Sequence, residues 1–246
     1  MKKKATFVLV HGAWYGGWCW KKVTPCLTSA GHTVYTPTLT GLGERRHLVN
    51  KGIDLDAHIQ DIVSMIEFED LNDIILVGHS YAGFVITGVA DKIPWRIRKL
   101  VYLDAMLPED GKVVIDYLAP AMVRKFSDYI KASKNGLLLP FGVAATLQEH
   151  GITDPIDVAW MTPRMADLPY RTFTQQIRIS TTLSQFINER GAYISTSDRP
   201  HFIVASKRAA GRGLKLFVIP GAGHGSMVTQ PEKLAEILLD IISTPK

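Results

Sequence analysis

Ile74-Ile75-Leu76-Val77-Gly78-His79-Ser80-Tyr81-Ala82-Gly83 is the stretch on which the reading of this chain turns. Its first four residues form an unbroken apolar run, the length of a strand buried on both faces. The run stops at Gly78, and a helix-like apolar stretch, Phe84 to Ala90, begins just beyond Gly83. A serine at the apex of a sharp strand-to-helix turn needs small residues two positions to either side, because the backbone folds back on itself there. Gly78 supplies one of them. The other is Ala82 instead of the usual glycine, with Gly83 one step later, and alanine is small enough to keep the turn. Ser80 is therefore read as a nucleophile held out at the tip of a tight elbow.

The same alternation of strand and helix extends along the chain. Thr6 to Val10, Thr33 to Tyr35, Ile74 to Val77, Lys99 to Leu103, Ala192 to Ser195 and Leu216 to Ile219 are the candidate strands. Val23 to Ala30, Leu55 to Phe68 and Phe84 to Ala90 carry helical spacing. A last helix starts near Pro231 and aligns Leu234, Ile237, Leu238 and Ile241 on one face. Continuous apolar strands separated by helices predict an α/β fold, a mostly parallel sheet covered on both faces. The rhythm breaks from about 112 to 190. Roughly 80 residues are too many for a simple connection in a compact domain. Helical segments are predicted over Tyr117 to Ala132, Val143 to His150 and Thr172 to Glu189, with joints at Pro140, Pro155, Pro163 and Pro169. This segment reads as a helical cap inserted over the carboxyl edge of the sheet, leaving one domain with a core of 1–111 and 191–246.

Composition narrows the function classes. A chain of 246 residues, 46% apolar, suffices for one large core. No run of roughly 18 apolar residues is present, so no membrane span is expected. The basic start Met1-Lys2-Lys3-Lys4 leads directly into the first strand and does not read as a signal peptide. Cys19 and Cys26, placed in one predicted helix, would lie about 10 Å apart along its axis. That exceeds the roughly 7 Å span of a disulfide, so free thiols and a cytoplasmic setting are expected. The net charge of +5 is spread without an aromatic-basic motif, which argues against nucleic-acid binding. Phosphate-loop and dinucleotide fingerprints are absent, as is metal-ligand spacing, so no cofactor and no metal are expected. Self-association as a homodimer is left open.

A serine hydroxyl needs a histidine to take its proton and an acid to orient that histidine. His224, in the glycine-rich segment Pro220-Gly221-Ala222-Gly223-His224-Gly225 after the last strand, is the candidate base. Two aspartates compete as the acid. Asp104 ends the strand after the nucleophile's, and Asp198 follows the next-to-last strand. The oxyanion needs two backbone N–H donors. Tyr81, next to Ser80, and Ala13, in the loop His11-Gly12-Ala13-Trp14 after the first strand, are the candidates, with His11 structural and His79 a filler of the elbow. Tyr15, Met106 and Met227 are candidate substrate-binding walls; Tyr81, Leu42, Trp160 and Met161 are further candidate apolar walls, with ordinary core packing the favoured role for Trp160 and Met161. An apolar, aromatic-lined pocket suits small to medium hydrophobic esters.

These residues together resemble the α/β-hydrolase superfamily, and within it the small esterase and hydroxynitrile lyase group typified by plant methyl esterases. The stretches that carry the resemblance are Val8-Leu9-Val10-His11-Gly12-Ala13-Trp14-Tyr15-Gly16-Gly17-Trp18, Gly31-His32-Thr33-Val34, Val77-Gly78-His79-Ser80 and Gly223-His224. Segments like Tyr102-Leu103-Asp104-Ala105 and Thr38-Leu39-Thr40-Gly41-Leu42-Gly43 are similar to bacterial members of the group. The resemblance covers roughly 5–110 and 190–244 and implies an α/β-hydrolase fold and an acyl-enzyme mechanism, with Asp104 favoured as the acid. The lyases of the group look different at two places, with a threonine after the first-loop histidine and a lysine after the catalytic histidine. Gly12 and Gly225 stand there in this chain, which implies ester hydrolysis over the lyase alternative, while the presence of both Ser80 and His224 argues against a non-catalytic ligand-binding member of the fold.

Overall fold

Neighbouring residues of each central strand point to opposite sides of the sheet, and both sides are buried. Val8, Val10, Ile74, Leu76, Leu100 and Tyr102 pack into one apolar cluster. Phe7, Leu9, Ile75, Val77, Val101 and Leu103 pack into the other. This explains why the strands read as continuous apolar runs instead of alternating ones.

The computed structural model describes residues 4–134 and 136–243; Met1, Lys2 and Lys3 of the basic start lie outside them. The strands are β1 (Thr6–Val10), β2 (Thr33–Tyr35), β3 (Ile74–His79), β4 (Ile97–Leu103), β5 (Leu138–Leu139), β6 (Leu168–Pro169), β7 (Gly191–Ser195) and β8 (Lys215–Val218). Six of them form a parallel sheet in the order β2-β1-β3-β4-β7-β8. The helices are α1 (Val23–Ser29), α2 (Leu55–Phe68), α3 (Ala82–Lys92), α4 (Pro120–Ala132), α5 (Phe141–Ala144), α6 (Pro155–Met161), α7 (Arg171–Thr174), α8 (Leu183–Arg190), α9 (Pro200–Gly211), α10 (Ser226–Thr229) and α11 (Pro231–Ser243). Apolar residues of α1 and α11 cover one face of the sheet, and those of α2, α3 and α9 cover the other.

The chain leaves β1 toward β2 on one side and returns to β3 on the other. The crevice at the carboxyl ends of β1 and β3 is thus the topological switch point, where open α/β sheets bind ligands. Register brings the site residues together there. His79 pairs with Leu103 and Leu103 with Ile194, so Ser80 and Asp104 leave adjacent strands side by side.

The insertion between β4 and β7 differs from its sequence reading in four respects. The predicted helix over Thr172 to Glu189 is two short helices, α7 and α8. The connection between them spends its amides on the core: Ile177 N–H donates to Lys112 O, Ile179 N–H to Asp110 Oδ1 and Ser180 N–H to Asp91 Oδ1. The predicted helix from Tyr117 starts three residues later, because Pro120 sets the first turn and holds Ala119 extended. The predicted helix over Val143 to His150 breaks at Thr146, where Thr146 N–H donates to Glu149 and Glu149 N–H donates to the Thr146 hydroxyl, a reciprocal cap that starts a new turn. The short antiparallel pair β5–β6 was not expected. Outside the insertion, Cys19 and Cys26 occupy separate turns, the 3-10 helix Gly17–Trp20 and α1, and are both free. The helix α9 also went unread. Its core-facing side is Phe202, Ala205 and Ala209, and two alanines make a weak apolar stripe.

The departure from glycine at Ala82 has a physical explanation. At Gly83 an added Cβ would collide with the Met106 carbonyl, and at Gly78 it would lie 2.7 Å from the Ala82 carbonyl oxygen. Ala82 is itself fully buried without strain in its backbone. The obligatory glycine therefore sits one position later than the usual pattern. Replacing Gly83 with alanine is expected to destabilise the protein by about 1–3 kcal/mol through overpacking. Ala82→Gly removes only a methyl group and some rigidity, a loss of about 0.5–1 kcal/mol. Equal falls in the melting temperature of the two variants would contradict this reading.

Candidate active site

Ser80 sits at φ +58°, a left-handed conformation that L side chains rarely adopt. Hydrogen bonds hold it there from several sides. Its N–H donates to Leu103 O, and its own carbonyl accepts from the amides of Gly83 and Met106. The side chain is consequently thrust away from the sheet, half-exposed at the floor of a pocket.

The structure brings Ser80, His224 and Asp104 into one relay. Ser80 Oγ lies 3.0 Å from His224 Nε2, and His224 Nδ1 donates to Asp104 Oδ2 at 2.7 Å. Asp104 is fully buried. Burial pushes its carboxyl above the ordinary carboxylate range, while the Ser197 hydroxyl (2.5 Å) and the amides of Thr196 (3.2 Å) and Ser197 (3.3 Å) oppose this by donating to its oxygens. A buried carboxylate with this many donors is a fixed acceptor for the imidazole. Asp198, the competing acid, is exposed beyond β7 and makes none of these contacts. The loop turns Ser197 inward to Asp104 and Asp198 outward, because adjacent residues of an extended segment face opposite ways.

The imidazole of His224 is held well below its ordinary pKa, first by burial and then by the positive charge of Arg199 and the neighbouring His201. The ring is braced mechanically as well. Phe202 stacks on it with centroids 4.5 Å apart and an interplanar angle of 15°. His79 Nε2–H donates to the His224 carbonyl at 2.9 Å, so this histidine anchors the His224 loop and is more than a filler of the elbow.

The loop after β1 lies against Ser80. An added Cβ on Gly12 would come within 2.8 Å of Ser80 Cβ, which permits the close approach of Ala13. His11 fixes this loop, with Nδ1–H donating to Gly12 O and Nε2 accepting from Leu39 N–H. Burial lowers its pKa to about 3, in keeping with a structural neutral ring. Ala13 and Tyr81 both line the pocket. Among the described residues, neither N–H has a protein acceptor.

The pocket above Ser80 spans about 490 Å³ of empty space, counting the part open to solvent. Trp14, Tyr15, Tyr81, Met106, Phe126 and Phe173 line its apolar side; His150, Arg199 and His201 give it a second, polar side that the sequence reading lacked. Tyr15 and Met106 are thus placed as expected. Met227 is not: it is fully buried in the core on the α11 side, because α10 turns it away from the pocket. Leu42 and Met161 are also core residues, and Trp160 packs edge-on against Trp18. Among the described residues no cluster of three or more His, Cys, Asp or Glu could hold a metal ion. No helix among them is long and apolar enough to cross a membrane.

Ser197, His150, Arg199, His201 and Phe202 were not singled out from sequence, and His79 was read only as a filler of the elbow. His150 and Arg199 carried no local signal. Phe202 could have been found from Pro200, which marks the start of the helix that carries it.

Known proteins are similar to this chain over nearly its whole length. The model of the alpha/beta hydrolase family matches residues 7–237. The carbendazim hydrolyzing esterase of Nocardioides sp. (strain SG-4G) is 38% identical over 247 residues, covering 95% of this chain and 98% of the relative. Polyneuridine aldehyde esterase of Rauvolfia serpentina is 25% identical over 258 residues, covering 98% and 96%. An extracellular alpha/beta-hydrolase from a Paenibacillus species superposes with a TM-score of 0.81 at 25% identity, covering 96% of this chain and 98% of that one. The chain belongs to the alpha/beta hydrolase family and is an esterase-type member of it.

Proposed function

We propose that the protein is a serine esterase that hydrolyses small to medium hydrophobic carboxylic esters through an acyl-enzyme on Ser80. The observation that carries this reading is the unbroken Ser80–His224–Asp104 relay at the floor of the pocket. His224 Nε2 takes the Ser80 proton as Oγ attacks the ester carbonyl. The negative charge then gathers on the carbonyl oxygen, and the free amides of Ala13 and Tyr81 receive it. His224 returns the proton to the departing alkoxide, and the C–O bond breaks. Water, deprotonated by the same imidazole, releases the acid and restores Ser80.

A lyase reading has less support. A side chain at Gly225 would meet Ile152 at 2.6 Å, and one at Gly12 would meet Ser80. A threonine at 12 or a lysine at 225 would therefore require these neighbours to shift. The two free thiols are consistent with a reducing, cytoplasmic setting. Carbendazim, the substrate named for the Nocardioides relative, belongs in the first substrate panel.

With p-nitrophenyl butyrate as substrate, Ser80→Ala is expected to lose essentially all enzymic turnover, a fall on the order of 10⁶-fold in kcat. Asp104→Asn leaves the wrong histidine tautomer and should lose on the order of 10⁴-fold. Asp198→Asn should stay within about threefold of the wild type, since a surface substitution of this kind is near-neutral. An Asp198 variant as impaired as the Asp104 variant would reassign the acid.

The pH profile supplies a second check. Activity requires neutral His224, which exists above its pKa. Burial and Arg199 lower that pKa, so the acid limb of kcat/KM falls below the ordinary histidine value of about 6.5. This is lower than the rise between about pH 5 and 8 that an unperturbed histidine would give. Removing the charge in Arg199→Gln should move the limb upward. A downward or absent shift would show that Arg199 does not act on the base.

A further inference from the structure

Among the described residues that line the pocket, His150 pairs one ring nitrogen and leaves the other without a partner. It is 2% exposed and lines the pocket, and its ring stands edge-on to His224 with centroids 4.8 Å apart. Nδ1 is 2.7 Å from the Tyr15 hydroxyl, whereas Nε2 is buried with no partner. The ring is held firmly in this position. Gly225 N–H donates to the His150 carbonyl at 2.8 Å, and Gly151 meets Gly223 so closely that an added Cβ would lie 2.8 Å from the Gly223 Cα.

The tautomer follows from counting donors. If Tyr15 O–H donates to Nδ1, only Nε2–H is left without a partner. If Nδ1–H donates to Tyr15, both the Tyr15 hydroxyl hydrogen and Nε2 are orphaned. Each orphaned buried polar group is costly, so the first arrangement prevails. His150 therefore carries a neutral, unpartnered N–H on a ring that lines the pocket and stands against the His224 ring.

We propose that His150 is a specificity-determining residue whose Nε2–H donates to an acceptor on the substrate, so that the site favours esters carrying an ether oxygen, carbonyl or ring nitrogen within a few bonds of the scissile carboxyl over purely hydrocarbon esters. The proposal rests on the esterase reading of Ser80 and His224. An ester with the acceptor gives the buried N–H the partner it lacks; a hydrocarbon ester leaves it unpaired. Sites built around a polar group reject analogues that lack it for this reason.

The test uses the isosteric pair p-nitrophenyl methoxyacetate and p-nitrophenyl butyrate, which differ by one oxygen in place of a methylene. The ratio of their kcat/KM values is compared between proteins, which cancels the intrinsic reactivity of the esters. Relative to wild type, His150→Phe should lower the methoxyacetate preference roughly tenfold, the scale of one hydrogen bond. His150→Gln, which retains an N–H donor, should restore part of it. Equal ratios in all three proteins would overturn the proposal. Should wild type turn over neither ester, the esterase reading falls and the substrate claim with it. A measurement independent of turnover tests the donor itself. In uniformly ¹⁵N-labelled protein, the ring signals lost in His150→Gln should report a proton on Nε2, and a proton on Nδ1 would equally overturn the proposal.

Discussion

The site depends on backbone packed against backbone around Ser80. Gly12 lies beneath Ser80 Cβ, Gly83 beneath the Met106 carbonyl, and Gly78 beneath Ala82, each in a space that a methyl group would fill. This crowding holds Ser80 at positive φ and delivers the amides of Ala13 and Tyr81 to the same side of the turn. Strain of this kind persists only where surrounding hydrogen bonds over-determine the backbone, and Leu103, Gly83 and Met106 supply them here. The parallel register of β1, β3 and β4 does the rest, placing three site loops at one end of the sheet.

A second constraint is electrostatic. One buried carboxylate, Asp104, acts on His79 and His224, and burial disfavours the charged form of both rings and of the adjoining His150. Neutral rings pack edge to face and stack with Phe202 at little cost, whereas several imidazolium ions could not share this volume. Arg199 reinforces the arrangement by disfavouring protonation of His150, His201 and His224. His224 is thereby kept neutral, and Asp104 is held by the donors of His224, Thr196 and Ser197.

Much of this was legible in the sequence because it is local. The apolar run at Ile74, the small residues around Ser80 and the glycines flanking His224 each announce their backbone geometry directly. The choice between Asp104 and Asp198 was not legible, since it turns on which way one extended loop faces and on register between β4 and β7. The cap was read least well. Its segment from Gln175 to Thr182 has helix-compatible residues, yet its amides bond to Lys112, Asp110 and Asp91, and such distant partners leave no trace in local periodicity. Met227 was misplaced for a similar reason: nearness to His224 in sequence does not decide which way a helical turn points. His150 lay beyond reach because its role depends on Tyr15, 135 positions away.

The central claim is that Ser80 is the nucleophile, and covalent labelling tests it most directly. A p-nitrophenyl alkylphosphonate would be attacked at phosphorus with loss of p-nitrophenoxide, leaving a stable adduct that peptide mass spectrometry can locate. The account predicts a single adduct on Ser80, formed in step with loss of esterase activity. Inactivation with the label on any other residue, or full esterase activity in protein labelled at Ser80, would contradict it.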